Sequence, residues 1–372
     1  MTFASLGLSS PLLRALVELG YDAPTPVQRA AIPAVLRGDD LWASAQTGSG
    51  KTAAFVLPLL DRLKATQPAA ARPPRALIVV PTRELALQID EAIGRYGQYL
   101  TLRTAVVVGG ADLAAQVAAL EAGADLVVAT PGRLLDLLVQ GALSLNTIEA
   151  LVLDEADRLL SLGFSEELAA LLAQLPAQRQ CLLFSATFPP KVVNLAERLL
   201  REPTRINVDA GAMPHEELIA QRVIEVDAGQ RTRLLLRLLE TEGWRQALIF
   251  VASRATANHL STQLVRAGIE AWPLHGELSQ DARNETLADF KAGRSRVLVA
   301  TDLAARGLDI AHLPAVVNYD LPRSPADYAH RIGRTGRAGQ SGVAVSFVSV
   351  NTDPHFRLIE KRYKLKLQRE HL

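Results

Sequence analysis

The sequence predicts an α/β protein made of two successive units, each a mostly parallel sheet flanked by helices. Three observations lead there. A chain of 372 residues is long for one core and suggests two. Its short β-branched runs are apolar throughout rather than alternating, which is how strands buried on both faces read. Helix-like stretches separate those runs, as crossovers between parallel strands require. With 49% hydrophobic and 21% charged residues, the composition excludes collagen-like, low-complexity and wholly disordered chains.

In chain order the first set of strands is expected at Leu41 to Ala45, Ala76 to Val80, Thr104 to Val108, Asp125 to Ala129, Ala150 to Asp154 and Gln180 to Phe184. The rhythm then restarts at Gln221 to Val226, Ala247 to Val251, Ala271 to Leu274, Arg296 to Ala300, Ala315 to Tyr319 and Val343 to Val348. Between the sets, DAGAMP at 209–214 carries small residues, Gly and Pro, and is read as a linker. The units are therefore expected at 1–208 and 215–350, followed by a basic segment, 351–372. There Phe356, Ile359, Tyr363 and Leu367 fall at helical spacing among basic residues, the pattern of a packed helix with a solvated basic face.

One cysteine, Cys181, excludes a disulfide framework and any multi-cysteine zinc site, and suits a reducing compartment such as the cytoplasm. Nothing in the first ten residues reads as an export signal, and no run of 18 apolar residues reads as a membrane span. Before residue 210 there are 18 basic and 21 acidic residues, and after it 22 and 18, too small an imbalance to argue for a polyanion.

Chemistry first enters at AQTGSGKT, Ala45 to Thr52, between an expected strand and the apolar helix that follows. A nucleoside triphosphate needs converging backbone N–H groups, a helix N-terminus, a lysine for the terminal phosphates and a hydroxyl for Mg²⁺. Gly48 and Gly50 permit the tight loop, which also contains Thr47 and Ser49. Lys51 brings the charge and Thr52 the hydroxyl, although Ala45 stands where the general pattern has Gly. Downstream, Asp154 and Glu155 end the strand from Ala150, and adjacent carboxylates there are costly unless a cation or polar cleft receives them. Asp154 is read as the magnesium carboxylate, directly or through water, and Glu155 as the group that orients or deprotonates attacking water.

Taken together, the strings resemble the DEAD-box family of ATP-dependent RNA helicases in helicase superfamily 2, over about residues 3 to 350. Phe3 and GYDAPTPVQ resemble its adenine-recognition element. AQTGSGKT, PTRELALQ, Gly109–Gly110, TPGR, DEAD and SAT follow, then LIFVAS, HGELSQDAR, ATDLAARGLDI and HRIGRTGR in the family's order. The opening FASLGLS, together with ASAQTGSGKT, is most similar to the bacterial RhlE-type subgroup.

The resemblance implies two tandem RecA-like domains, ATP and Mg²⁺ as cofactors, and RNA as partner, single-stranded or in short duplexes. Phe3, Tyr21 and Gln28 would contact adenine, Phe3 by packing on it, and Asp309 the ribose. Arg334 and Arg337 would reach the γ-phosphate from the second unit, while His330, Asp157, Ser185 and Thr187 would couple nucleotide, interface and RNA. Sequence-independent backbone contacts are implied for Pro81, Thr82, Arg83, Gly109, Gly110, Thr130 and Arg133, and for Arg254, Gly276, Arg283, Thr301 and Gly307. The expected activity is RNA-stimulated ATP hydrolysis coupled to interdomain closure and local, non-processive duplex separation. A DNA helicase or translocase, or an ATP-gated RNA clamp with little unwinding, are the alternatives. No membrane partner is expected, and any protein partners would belong to ribonucleoprotein or RNA-degradation assemblies.

Overall fold

The computed structural model describes residues 2–45, 49–64, 73–208, 218–305, 310, 313–336 and 341–371. The chain divides into two compact units, Met1–Ala210 and Gly211–Leu372. The expected linker at 209–214 lies outside the described residues.

In the first unit the strands are β1 (Leu41–Ser44), β2 (Ala76–Val79), β3 (Thr104–Val107), β4 (Leu126–Ala129), β5 (Ala150–Leu153), β6 (Gln180–Ser185) and β7 (Thr204–Asn207). They form one sheet in the order β3-β4-β2-β5-β6-β1-β7, every pairing parallel. The helices are α1 (Ser10–Glu18), α2 (Pro26–Arg37), α3 (Lys51–Leu63), α4 (Arg83–Tyr96), α5 (Leu113–Glu121), α6 (Pro131–Val139), α7 (Ala156–Ser161), α8 (Ser165–Ala173) and α9 (Pro190–Leu199). Side chains alternate across the sheet. Ala76 and Ile78 join a core with α1 to α4, and Leu77 and Val79 join a second core with α6 to α9. Both faces are thus covered, which is why these strands lack polar alternation.

The second unit repeats the plan with β8 (Ile219–Glu225), β9 (Ala247–Val251), β10 (Ala271–Leu274), β11 (Val297–Thr301), β12 (Ala315–Asn318), β13 (Gly342–Val348) and β14 (Arg369–Glu370). Their order is β10-β11-β9-β12-β13-β8-β14, again all parallel. Around them lie α10 (Arg231–Thr241), α11 (Arg254–Arg266), α12 (Gln280–Lys291), α13 (Asp302–Ala305), α14 (Pro325–Ile332) and α15 (Asp353–Tyr363).

All twelve expected strands are present, with ends within two residues of those expected. Two others went unexpected. β7 reads TRIN with only Ile206 buried, as an edge strand can, and β14 is two residues long. The expected terminal helix also needs correction. It stops at Tyr363, Lys364 turns the chain with φ +56, and Leu367 leaves the helix to pack beside Leu365 on the core around Phe356. The segment then returns to the sheet next to β8, so its helical spacing beyond Tyr363 is coincidental.

Candidate nucleotide site and nucleic-acid interface

In the first sheet the register pairs Ser44 with Ser185, Val79 with both Leu153 and Ala129, and Val107 with Ala129. The strands therefore finish in step, and the loops after β1 to β6 leave from one end of the sheet, where open α/β sheets bind ligands.

The phosphate loop joins β1 to α3. Gly50 caps α3 with φ +91, and a Cβ there would collide with the Gln28 amide, so conformation and space both demand glycine. Gln28 belongs to a capping box at the start of α2, its Oε1 accepting from Thr25 N–H at 2.9 Å. Its Nε2 donates to the Gly50 carbonyl at 3.1 Å. This buried glutamine braces the loop and has one N–H and one lone pair left over. Thr47 and Gly48 lie outside the described residues.

Lys51, at the first position of α3, is buried, and its Nζ has no hydrogen-bond partner. The nearest carboxylate oxygen, Asp154 Oδ1, is 4.0 Å away. Asp154 is 2% exposed at the end of β5, and its Oδ1 accepts from Glu155 N–H at 2.8 Å. Glu155 holds a left-handed backbone, φ +51, a conformation costing about 1–3 kcal/mol that the surrounding fold must enforce. Burial pushes both carboxyls above the usual range; Lys51 pulls both down, and neighbouring acids push up further. An unpartnered ammonium, a helix N-terminus and two acids crowded by burial fit a triphosphate with a divalent cation. Among the described residues no cluster of three His, Cys, Asp or Glu could hold a metal. A cation held by one carboxylate, a hydroxyl and substrate phosphates, the usual Mg²⁺ arrangement, needs no such cluster.

Ser185 at the end of β6 links the two halves of this site. Its carbonyl accepts Ala45 N–H from the phosphate loop at 3.2 Å, and its hydroxyl accepts Asp157 N–H at 3.2 Å and donates to the Thr187 carbonyl at 2.7 Å. Asp157 Oδ2 in turn accepts Thr187 Oγ1–H at 2.6 Å and Thr187 N–H at 3.2 Å. The serine, the threonine and the last acid of the DEAD string form one hydrogen-bonded knot.

The adenine element departs from expectation at Phe3. It is 4% exposed within the core, edge-on to Tyr21 with ring centroids 6.4 Å apart. Tyr21 is half-buried, stands edge-on to Tyr96, and the two hydroxyls lie 3.0 Å apart. Phe3 therefore supports Tyr21 from behind, and Tyr21 is the aromatic with surface left to offer a base.

The neighbouring strands β2, β3 and β4 carry the expected first-unit RNA contacts. Thr82 caps α4 by accepting Leu85 N–H, and Thr130 occupies the cap position of α6 after Pro131 sets its first turn. Arg83 Nη1 donates to the Gly110 carbonyl at 2.9 Å, and Arg133 Nη1 to the Ala111 carbonyl at 3.2 Å. Both arginines thus converge on the 109–111 loop, and Arg83 Nε is buried with no hydrogen-bond partner.

In the second unit Arg254 begins α11 and pairs with Glu277, both side chains exposed. Arg283 Nη2 donates to the Ala304 carbonyl at 2.8 Å, Thr301 ends β11, and Gly276 follows β10 by two residues. His330 lies on α14, and Arg334 follows it with a buried side chain. Gly307, Asp309 and Arg337 lie outside the described residues.

Residues 25–195 match the DEAD/DEAH box helicase family, and residues 230–339 match the helicase conserved C-terminal domain. The chain is similar to the DEAD-box ATP-dependent RNA helicase CshA of Geobacillus kaustophilus, 40% identical over 368 residues, 99% of this chain and 78% of that protein. This chain belongs to the DEAD-box ATP-dependent RNA helicases. It is also 41% identical over 361 residues to the ATP-dependent RNA helicase DeaD of Mycobacterium tuberculosis, covering 97% of this chain and 63% of that one. Among solved structures, S. cerevisiae Dbp5 bound to RNA and ADP BeF3 matches with TM-score 0.88 and 32% identity, covering 100% of this chain and 95% of that one. A DEAD box protein from Methanococcus jannaschii matches at TM-score 0.58 and 36% identity, covering 100% and 99%. These bacterial relatives carry the names CshA and DeaD, whereas the RhlE-type placement rests on FASLGLS and ASAQTGSGKT.

Arg331, between the expected site residues His330 and Arg334, carries a role that no motif announced. Arg331 is 2% exposed and pairs bidentately with Asp302 at 2.6 and 2.8 Å. Its Nη1 donates to Asn318 Oδ1 at 3.0 Å and to the Asp320 carbonyl at 2.6 Å, and its guanidinium lies 4.8 Å from the Phe250 ring centre. The residue ties α14 to the ends of β9, β11 and β12. An arginine inside an apolar helical pattern, preceded at a distance by an Asp just after a strand, was the available signal.

Proposed function

We propose that this helicase hydrolyses ATP in response to RNA and uses the cycle to separate short duplexes locally, without directional stepping. The Lys51 ammonium carries the reading: buried at a helix N-terminus, 4.0 Å from Asp154 and without a hydrogen-bond partner, it is set for a phosphate. Mg²⁺, when bound, neutralises phosphate charge, and Thr52 and Asp154 would hold it, partly through water. Glu155 orients or deprotonates the attacking water. Tyr21 and Gln28 hold adenine, with Phe3 behind them, and Asp309 the ribose.

Arg334 and Arg337 act as fingers on the γ-phosphate, worth about 10³ to 10⁵ in rate, so turnover waits for the second unit to close on the first. His330 and the Asp157–Ser185–Thr187 knot pass that closure between nucleotide and RNA. Arg83, Arg133, Arg254 and Arg283, with the small residues and threonines beside them, grip sugar and phosphate without reading bases. The complex of Dbp5 with RNA and ADP BeF3 supports the pairing of ligands. The single free cysteine, Cys181, suits a reducing, cytoplasmic location.

The test is ATP turnover with no nucleic acid, with RNA and with matched DNA, alongside duplex release over many turnovers. Stimulation by RNA alone with duplex release supports the reading. Equal stimulation by DNA points to a DNA translocase, because the 2′-hydroxyl is what such a site can use to discriminate. Stimulation without release leaves an RNA clamp.

A further inference from the structure

Helix α5 packs in an unusual way: its single buried residue is a glutamine, Gln116, 7% exposed, while Leu113 and the alanines stay exposed and Val117 and Leu120 only partly cover the core. The Gln116 side chain reaches the last residue before the Gly109–Gly110 pair. Its Oε1 accepts Val108 N–H at 3.0 Å and its Nε2 donates to the Val108 carbonyl at 3.1 Å. β3 is an edge strand, with β4 as its one neighbour, so a backbone unit here faces an open edge and needs a partner. A primary amide supplies one acceptor and one donor at the spacing of a neighbouring strand. Two and three residues further on, the Gly110 and Ala111 carbonyls accept from Arg83 and Arg133. The loop is thus fixed at its root by Gln116 and at its crown by two arginines. Gly110 adopts φ +73, so the crown is a tight turn two residues beyond the Val108 backbone that Gln116 holds.

We infer that Gln116 is a positioning residue for RNA binding: it clamps the edge of β3 so that the 109–111 loop presents its backbone, with Arg83 and Arg133, to the sugar-phosphate chain. This rests on the proposed RNA-dependent activity. Removing the amide leaves a buried N–H and C=O unpaired, at about 1–3 kcal/mol, and the loop relieves that cost by moving toward water. ATP contacts arise from other loops and are untouched.

The experiment uses the full chain and single-stranded polyuridine as probe, comparing wild type with Gln116→Leu and Asp112→Ala. Asp112 caps α5 by accepting Ala114 N–H at 2.9 Å, so its removal weakens the same helix without touching Val108. For Gln116→Leu the RNA concentration giving half-maximal turnover rises about tenfold, with kcat at saturating RNA and half-saturation by ATP unchanged. Asp112→Ala lowers the melting temperature and leaves the RNA requirement within about twofold. An unchanged RNA requirement in Gln116→Leu, an equal rise in Asp112→Ala, or a parallel shift in ATP half-saturation overturns the inference while RNA-dependent activity stands. A wild-type protein that RNA does not stimulate overturns the activity itself, and the inference with it.

Discussion

Lys51 and Glu155 give the chemistry at the scale of single residues, and each fails in its own way when changed. Lys51→Ala removes the buried ammonium at the N-terminus of α3, so ATP affinity measured by calorimetry should fall at least about a hundredfold. Glu155→Gln should keep ATP and RNA binding while turnover falls about 10²- to 10⁴-fold, the usual worth of a positioned general base. Stability supplies a second readout. Burial raises the Glu155 carboxyl in the folded chain, so the folded state holds its proton more tightly than the unfolded one. Stability from this group is therefore lost as pH rises from the ordinary carboxylate range through the raised folded value. Ligand-free Glu155→Gln should melt at or above the wild-type temperature at pH 8, and the advantage should vanish toward pH 4. A variant that is less stable than wild type at pH 8 assigns Glu155 a structural role instead.

Whole elements decide how these residues are held, and the returning C-terminal segment shows it best. Arg369 bridges Asp353 and Glu360 and lies 5.4 Å from the Phe356 ring centre, while Glu370 pairs with Arg222 on β8 at 2.7 Å. Hydrogen bonds from Arg369 hold Glu360 below the usual carboxylate range, and those from Arg222 do the same for Glu370. Their stabilisation is in place above the ordinary carboxylate range and is lost as pH falls through the lowered folded values. Arg369→Met should cost about 1–2 kcal/mol in denaturant unfolding at pH 7, with the deficit shrinking in acid. A deficit that persists at pH 3 would mean that Arg369 acts through packing on Phe356 rather than through its charge.

For the molecule as a whole, the division of labour between units makes the sharpest prediction. The first unit holds Lys51, Asp154 and Glu155, and the second holds the proposed arginine fingers. A fragment of residues 1–208 should bind ATP but turn it over about 10³-fold more slowly than the full chain with RNA. Comparable rates would remove the need for a second unit.

Two parallel sheets were legible because strands buried on both faces leave unbroken apolar runs, and the nucleotide loop was legible because phosphate binding dictates a local string between one strand and one helix. Three features depended on neighbours that only the folded chain supplies. Phe3 looked like a ligand contact until the core closed over it, Arg331 found its partners at the start of α13 and the end of β12, and Gln116 found an edge that exists only once β3 has one neighbour. β7 and β14 were silent for the same reason: an edge strand takes its order from the strand beside it and needs little apolar character of its own. Local periodicity and phosphate chemistry are written in consecutive residues, whereas burial, edge closure and ion pairing are properties of neighbours that only the folded chain brings together.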